Sequence, residues 1–357
     1  MPARIAAGSY AGSAAVFAQA GWVASDLRDI TDDLSALDGG GWWAVALPYD
    51  APPVLARFAR PYRAPVPPAR GRWPGADPGS WTSSLDRAAF EAGVAAIRCR
   101  IARGEVYQVN LTRRLSTRLP AGADPGALAA GLAGLLARRH PAPHAGHLVL
   151  PERQLAIVSA SPERFLRRDG RIVLSQPIKG TQPAGGDAPV VFGEKDRAEN
   201  LMIVDLVRND LGRVCEPGSV TVPALFAQER HPGLVHLVSG VRGRLADGAG
   251  WPELLEATFP PGSVTGAPKR AALEVIAELE PVPRGPYCGA LGWVDADRGV
   301  GDLNVAIRTF WFGWSGGPGS LHFGTGGGIT WGSDPAGEWA ETVLKSRKLI
   351  AAVARPW

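Results

Sequence analysis

Two features of this 357-residue sequence predict an α+β fold. Segments with strand-like alternation come in consecutive runs, at 106–116, 146–151 and 155–180, with no helix between successive strands of a run. Single amphipathic helices separate these runs, at 86–105 and 194–214 for example. A doubly wound parallel sheet needs a helix between most successive strands, so the pattern favours antiparallel sheets.

The elements follow in chain order. Residues 1–50 are weakly patterned, and a strand-like cluster of small and aromatic residues lies at 39–50. Residues 51–80 contain too many Pro and Arg residues for a helix or a central strand, so we expect an extended connector across the surface. Further helices are expected at 126–137, 251–259, 266–280 and 335–353, with a hairpin pair at 287–312. We therefore expect a short N-terminal region, residues 1–80, packed on a main body at 81–357.

Composition excludes several classes of function. The chain is 45% hydrophobic and 20% charged, which is typical of a globular protein with a full core. Its net charge is +4, but Lys and Arg are spread out, which argues against nucleic-acid binding and is compatible with small anionic substrates. No apolar run is long enough to span a bilayer, and Gly and Ser interrupt the N-terminal apolar stretch. We expect a cytoplasmic protein.

The three cysteines, Cys99, Cys215 and Cys288, lie far apart and form no CxxC motif. An odd number of widely separated cysteines predicts reduced, buried thiols, and neither disulfides nor a zinc site.

Lys179 lies in the segment PIKGT, between a proline and a Gly-Thr pair. A solvated surface lysine would explain it equally well. Whether Lys179 is a surface lysine or a functional one depends on the side chains that surround it in the fold.

A carboxylate lies at the head of an otherwise apolar helical stripe at 194–214. Glu199, Met202, Ile203 and Leu206 occupy positions i, i+3, i+4 and i+7. A carboxylate that faces inward is costly unless it is paired or binds a metal. A salt bridge to a nearby Arg is the alternative.

The last predicted helix, at 335–353, also carries carboxylates on one face. Asp334 and Pro335 form an N-cap and first-turn pair, after which one polar stripe contains Glu338, Glu341, Thr342 and Lys345. Upstream, the glycines at 324–328 predict a loop whose backbone N–H groups suit an anion. A solvated face after a flexible loop is the alternative. Taken together, the two carboxylate-bearing helices and this loop suggest a hard cation, such as magnesium, that holds a carboxylate ligand.

Eight blocks in sequence order resemble the chorismate-utilising enzymes. They are EVYQVNLTRR, ASPERFL, PIKGT, RAENLMIVDLVRNDLGRV, HLVSGVRGRL, FPPGSVTGAPK, GALGWVDADRGVGDLNVAIRTF and GTGGGITWGSDPAGEWAETVLKSRKL. The resemblance covers about residues 85–350. It implies two packed antiparallel β-sheets with helices outside and an active site in the cleft between them.

The resemblance also implies the roles of individual residues. Glu199 and Glu341 correspond to magnesium ligands, with Glu338 beside them. His236 corresponds to an active-site histidine, and Arg308 could hold the side-chain carboxylate of chorismate. The chorismate-binding set is Gln108, Gly180, Thr181, Tyr287, Arg308, Gly326, Gly327, Gly328 and Lys345.

Two positions separate the branches of the family. Relatives that add water at C2 carry a Lys base where this chain has Gln108, and a neutral amide cannot take a proton from water. Relatives that aminate C2 carry Ala where this chain has Lys179. The resemblance therefore implies that Lys179 attacks C2, that ammonia then enters at C4, and that Glu163 is the general acid and base. Amination at C2, hydroxylation at C2 and an inactive binding subunit are the alternatives.

The motifs recognised in this sequence include none that would release ammonia from glutamine. None of the three cysteines sits in a nucleophile elbow with a downstream histidine. We expect ammonia to come from solution or from a separate glutamine amidotransferase subunit in a heterodimer.

Overall fold

The structure is a computed structural model that describes residues 15–19, 21–64, 72–120, 122–184, 190–231, 234–313 and 319–356. Its strands are β1 (Val16–Gln19), β2 (Trp22–Thr31), β3 (Trp42–Leu47), β4 (Val54–Arg63), β5 (Thr82–Ser83), β6 (Gln108–Arg118), β7 (Gly146–Leu150), β8 (Leu155–Ser159), β9 (Arg164–Asp169), β10 (Ile172–Gln176), β11 (Ile178–Pro183), β12 (Thr221–His231), β13 (Leu234–Arg244), β14 (Gly266–Ala267), β15 (Ala290–Asp295), β16 (Val300–Val305), β17 (Thr309–Gly313) and β18 (Ser320–Ile329). Its α-helices are α1 (Arg87–Ala102), α2 (Pro125–Arg139), α3 (Glu194–Gly212), α4 (Trp251–Thr258), α5 (Lys269–Leu279) and α6 (Pro335–Val353).

The predicted α+β class with antiparallel pairing is confirmed. The ladder runs from β12 through β13, β10, β9, β16, β15, β3, β4, β2, β1, β7, β8, β17 and β18 to β6, and β11 also pairs with β13. The two packed sheets are therefore two parts of one continuous ladder that folds back on itself. Leu148 and Ile157 of one part share a core with Leu291 and Leu303 of the other.

The helices cover the outside of this ladder. Helix α3 packs on β11 and β13, α2 packs on β7 and β8, and α1 and α6 pack on β18. Asp86 caps α1, because its side chain accepts a hydrogen bond from the N–H of Ala89. Asp334 caps α6 in the same way through Gly337, with Pro335 in the first turn. The predicted start of the last helix is thus confirmed.

The expectation of a surface connector at 51–80 is wrong for its first part. Residues Val54–Arg63 form β4, which pairs with β2 on one side and β3 on the other. Leu55, Ala56 and Phe58 are buried there, and Pro61 lies near the end of the strand. Burial of these apolar side chains outweighs the low strand propensity of Pro. Residues 65–71 lie outside the described part, and the division of the chain at residue 81 stays a prediction.

The expectation of a glycine-rich loop at 324–328 is also wrong. These residues belong to β18 and pair with β6 from Gly324 opposite Arg114 to Gly328 opposite Asn110. A Cβ at Gly326 would lie 2.4 Å from the carbonyl oxygen of Leu111, so only glycine permits this approach. The pairing of β17 with β18 ends at Phe323, so beyond that residue this edge of β18 has no strand partner among the described residues.

Two predictions concern the cysteines and the membrane. Cys215 and Cys288 are buried as expected, but Cys99 is exposed, which corrects the expectation for that residue. Among the described residues, no helix is both long enough and apolar enough to cross a bilayer.

Candidate active site

Lys179 lies near the start of β11, half-buried, and its Nζ donates a hydrogen bond to the carbonyl oxygen of Ser263 at 3.2 Å. Burial lowers the pKa of this amine. The carboxylates of Glu199, Glu163 and Glu341 oppose the shift, and the ammonium of Lys345 adds to it. The structure therefore places Lys179 among charged groups, and the interpretation as a freely solvated lysine is wrong.

Glu163 lies between β8 and β9 and is only 4% exposed. Burial raises the pKa of its carboxyl to about 7, and the Ser263 side chain, the charge of Lys179, the Ile178 backbone and the charge of Arg308 oppose this shift. An acid with a pKa near neutrality can both give and take a proton. The geometry is compatible with the predicted general acid and base.

Arg308 follows β16 with a φ of +52°, a backbone conformation that is rare for residues other than glycine. Burial lowers the pKa of its guanidinium, and the nearby Glu163 raises it. Within the described part of the chain, its side chain has no hydrogen bond or ion pair. A half-buried cation whose side chain makes no hydrogen bond or ion pair is suited to an anionic ligand.

His236 on β13 faces Thr181 on β11, because the two strands pair at these residues. The Thr181 hydroxyl lies 2.9 Å from Nδ1 of His236. Burial, Arg308 and His231 lower the pKa of this imidazole to about 4, so it is neutral at pH 7. The neighbouring Gly180 has a φ of +90°, and a Cβ there would meet Phe192 and Asp196 of the α3 region.

Gln108 begins β6 and is 1% exposed, and neither atom of its amide has a hydrogen-bond partner among the described residues. A Cβ at Gly328 would lie 2.4 Å from Nε2 of Gln108. Glycine at this position thus makes room for the amide. An unsatisfied buried amide is rare and indicates a ligand or an ordered water.

The predicted metal ligands lie on α3 and α6. Glu199 faces Lys195, with a distance of 3.8 Å between Oε1 and Nζ, and Glu341 faces Lys345 at 2.7 Å. Glu338 is 6% exposed and accepts a hydrogen bond from Ser333 at 2.6 Å.

The two helices are close enough for their charges to interact. Burial raises the pKa of Glu338; Ser333, Lys195 and Lys345 oppose this shift, and the neighbouring Glu341 adds to it. Burial also acts to raise the pKa of Glu341, but Lys345, Lys195 and Lys179 hold it below its ordinary value. The site thus combines three carboxylates with three lysines.

These carboxylates have suitable chemistry for magnesium, which prefers a few carboxylate oxygens and completes its shell with water and substrate oxygens. They do not converge as they stand, because the described residues contain no group of three ligands within reach of one ion. Lys195 and Lys345 would have to release Glu199 and Glu341 first. The donor set fits the metal, and its binding is a proposal.

Lys345 and Gly327 connect α6 to β18. The Nζ of Lys345 donates a hydrogen bond to the carbonyl oxygen of Gly326 at 3.0 Å. A Cβ at Gly327 would lie 3.2 Å from Oε2 of Glu338 and 3.8 Å from Nζ of Lys345. The glycine pattern therefore lets the polar stripe of α6 approach the strand.

Tyr287 lies apart from the Lys179 group. Its buried ring packs over Gly324, where a Cβ would lie 2.1 Å away, and it lines a cleft of about 220 Å³ with Glu280 and Arg284. Its role as a chorismate ligand stays a prediction.

The sequence interpretation missed residues that hold this site together. Ser263 bridges two predicted catalytic groups, and Asp210 pairs with Lys269 through a buried contact of 2.6 Å. Arg284 is a third missed residue. The polar residues of the segment FPPGSVTGAPK, which lies between two predicted helices, were the sequence signal that could have identified Ser263 and Lys269.

A small cleft opens beside Glu163 and Ser263 and is also lined by Asp210, Thr258 and Val305. Its position places the predicted acid and base at the wall of an internal space. The other predicted residues of the Lys179 group lie outside the lining of this cleft.

Comparisons with known proteins point to one family. A family model described as chorismate binding enzyme matches residues 59–351. The chain is 42% identical over 313 residues to anthranilate synthase component 1 of Streptomyces coelicolor, covering 85% of this chain and 58% of that protein. It is 45% identical over 269 residues to aminodeoxychorismate synthase of Streptomyces pristinaespiralis, covering 71% and 35%, and 38% identical over 279 residues to aminodeoxychorismate synthase component 1 of Salmonella typhimurium, covering 76% and 59%. The chain thus spans between about a third and three fifths of the length of these relatives.

Solved structures show the same fold. Anthranilate synthase component I of Streptococcus pneumoniae superposes with a TM-score of 0.74 at 23% identity, over 97% of this chain and 94% of that one. An isochorismate synthase of Bacillus anthracis superposes with a TM-score of 0.75 at 23% identity, over 95% and 96%. The matched family model, the curated relatives and the shared fold together show that this chain belongs to the family of chorismate binding enzymes.

Proposed function

We propose that this chain is an aminodeoxychorismate synthase component I, which replaces the C4 hydroxyl of chorismate by an amino group. The observation that carries the proposal is Lys179, half-buried with a lowered pKa and beside the buried Glu163. A neutral amine is a nucleophile, whereas an ammonium is not. Two relatives named aminodeoxychorismate synthase support the assignment.

The reaction proceeds through two displacements. Nζ of Lys179 forms a bond to C2 of chorismate, the ring double bonds shift, and the bond from C4 to its hydroxyl breaks. Glu163 gives its proton to that hydroxyl, which leaves as water. Ammonia then bonds to C4, the double bonds shift back, and the bond between C2 and Lys179 breaks. Glu163 takes one proton from the new ammonium, so the net change is the exchange of water for ammonia.

Other residues bind and orient the substrate. Arg308 would hold one carboxylate, since its guanidinium has no partner of its own in the described structure. Gly326 and Gly327 let β18 lie close to β6 and to the polar stripe of α6, which carries proposed ligands. Magnesium, held by Glu199 and Glu341 with Glu338 beside them, would neutralise the other carboxylate.

The neutral Gln108 disfavours hydroxylation, because an amide cannot remove a proton from water. Amination at C2 is the second candidate, favoured by the 42% identity to an anthranilate synthase component. Lys179 argues against it, because its side chain occupies the space through which ammonia would reach C2.

One assay separates these reactions. The protein is incubated with chorismate, magnesium and an ammonium salt at alkaline pH, and the product is identified by mass and fluorescence. We expect aminodeoxychorismate, with pyruvate still attached. Anthranilate, isochorismate or no product would each contradict the proposal.

We also propose that ammonia reaches the site from a separate glutamine amidotransferase subunit. The isolated chain should therefore use ammonium salts and be inert with glutamine alone. Glutamine-dependent turnover by the purified chain would overturn this part of the proposal.

A further inference from the structure

Ser263 lies between the two groups to which the reaction is assigned. It belongs to a helical turn, Gly262–Val264, and is 7% exposed. Its carbonyl oxygen accepts a hydrogen bond from Nζ of Lys179 at 3.2 Å. Its side chain lies beside Glu163 on the wall of the same cleft and lowers the pKa of that carboxyl. One residue therefore contacts both groups through different atoms.

The segment that carries Ser263 is fixed from both sides. Nζ of Lys269 donates to the carbonyl oxygen of Thr258 at 2.9 Å and to Asp210 at 2.6 Å. Nη1 of Arg284 donates to the carbonyl oxygen of Val264 at 2.8 Å. Two buried cations thus hold the segment. Such over-determination is typical of backbone that positions a site.

We propose that Ser263 is a positioning residue that couples Lys179 to Glu163. Its carbonyl orients the lysine amine, because a neutral amine that donates an N–H to this oxygen directs its lone pair away from it. Its hydroxyl orients the carboxyl that must reach the leaving group.

The Ser263 hydroxyl should shift the pKa values of Glu163 and Lys179 in opposite directions. A hydroxyl that donates to a carboxylate favours the ionised form, so Ser263 holds the pKa of Glu163 below the value that burial alone would give. The charged groups that face Glu163 are Lys179 and Arg308. The anion of Glu163, in turn, favours the ammonium of Lys179, together with Glu199 and Glu341 and against Lys345. Loss of the hydroxyl should therefore raise the pKa of Glu163 and lower that of Lys179.

This inference rests on the proposed function for its catalytic meaning, and the first test uses activity. Ser263→Ala retains the carbonyl and removes the hydroxyl. We expect kcat to fall by about tenfold, KM for chorismate to change by less than about twofold, and the limb of the pH profile assigned to Glu163 to move up by about one unit.

Two further variants separate positioning from packing. Ser263→Thr keeps a hydroxyl and should restore the parent pH profile. Ser175→Ala removes a hydroxyl from the same cleft, but Ser175 is not among the groups that shift the pKa of Glu163, so this variant should leave the profile unchanged. A threonine variant that behaves like the alanine variant would show that the hydroxyl has no specific role.

A second readout needs neither chorismate nor magnesium. The rate at which acetic anhydride acetylates Lys179 is followed by peptide mass at several pH values. Ser263→Ala should increase this rate by about threefold at mildly alkaline pH, because more of the amine is neutral. An unchanged rate would overturn the coupling even in an active enzyme. The increased rate in a protein that makes no aminodeoxychorismate would instead refute the proposed function alone.

Discussion

A buried and a half-buried arginine of this protein have opposite surroundings. Arg284 is 3% exposed and donates to Glu280 twice, to the carbonyl oxygens of Val264 and Asn110, and lies over the ring of Tyr49. Burial alone would lower its pKa, but Glu280 raises it above the ordinary value. Arg308 has no partner for its side chain in the described structure, and burial lowers its pKa.

The difference teaches what each charge is for. A fully paired buried charge holds elements together, and removing its partner is strongly destabilising. A buried charge without a partner costs stability and is retained where a ligand completes it. By this criterion Arg284 supports the fold, whereas Arg308 is suited to the proposed substrate site.

The largest expected effect is at Lys179, the proposed nucleophile. Lys179→Ala should reduce C4 amination by at least about a thousandfold, because the nucleophile is lost. Lys179→Arg should be equally inactive, since its guanidinium stays protonated. The parent protein, given chorismate without ammonia, should gain the mass of chorismate less water on the peptide that contains Lys179.

The exposed Lys348 on α6 provides the matched control, and Lys348→Ala should retain activity. Robust aminodeoxychorismate formation by the Lys179→Arg variant would end the covalent interpretation.

The second prediction tests the comparison of the two arginines directly. Glu280→Gln leaves Arg284 buried without its counter-charge and should reduce the free energy of unfolding by about 3–5 kcal/mol. Arg308→Met should reduce kcat/KM by about a hundredfold and leave the unfolding free energy nearly unchanged. Chemical denaturation and steady-state kinetics measure both variants. Equal stability losses in the two variants would contradict the distinction.

The third prediction concerns Glu163 and pH. Its pKa is raised from 4.5 to about 7 in the folded state, so its contribution to stability is fully present below pH 4.5 and is lost as the pH rises through about 7. Glu163→Gln has no carboxyl to ionise. Its free energy of unfolding should therefore exceed that of the parent by up to about 3 kcal/mol at neutral pH, while amination is lost. Denaturation at several pH values checks it, with the exposed Glu152→Gln as control. Parallel pH curves for parent and Glu163→Gln would contradict the raised pKa.

The smallest effect on the fold is expected at the exposed Glu341. Glu341→Gln should raise the magnesium concentration needed for half-maximal activity by about tenfold and change the unfolding free energy by less than about 1 kcal/mol. Glu274→Gln, at an exposed position of α5, is the control. A magnesium titration that is the same for parent and variant would remove Glu341 from the metal site.

The sequence alone predicted the fold class because hydrophobic periodicity is a local property. The amphipathic pattern at 86–105 predicted α1, and Asp334 with Pro335 predicted the start of α6. The family motifs predicted Lys179 and Glu163, since chemistry depends on residue types that motifs preserve. The same local reasoning was wrong about β4 and about residues 324–328 of β18.

Those errors have a common physical cause. Whether Pro61 is tolerated in a strand, or Gly326 belongs to a strand or a loop, depends on which chains lie beside them, and the paired strands come from distant parts of the sequence. Ser263 lies 84 positions from Lys179 in the sequence, so no local pattern predicts that Ser263 lies beside Lys179 and Glu163. Sequence determined which side chains are present for the proposed chemistry. Tertiary structure decided which of them are buried and which groups lie beside them, because burial and pairing arise only when distant segments meet.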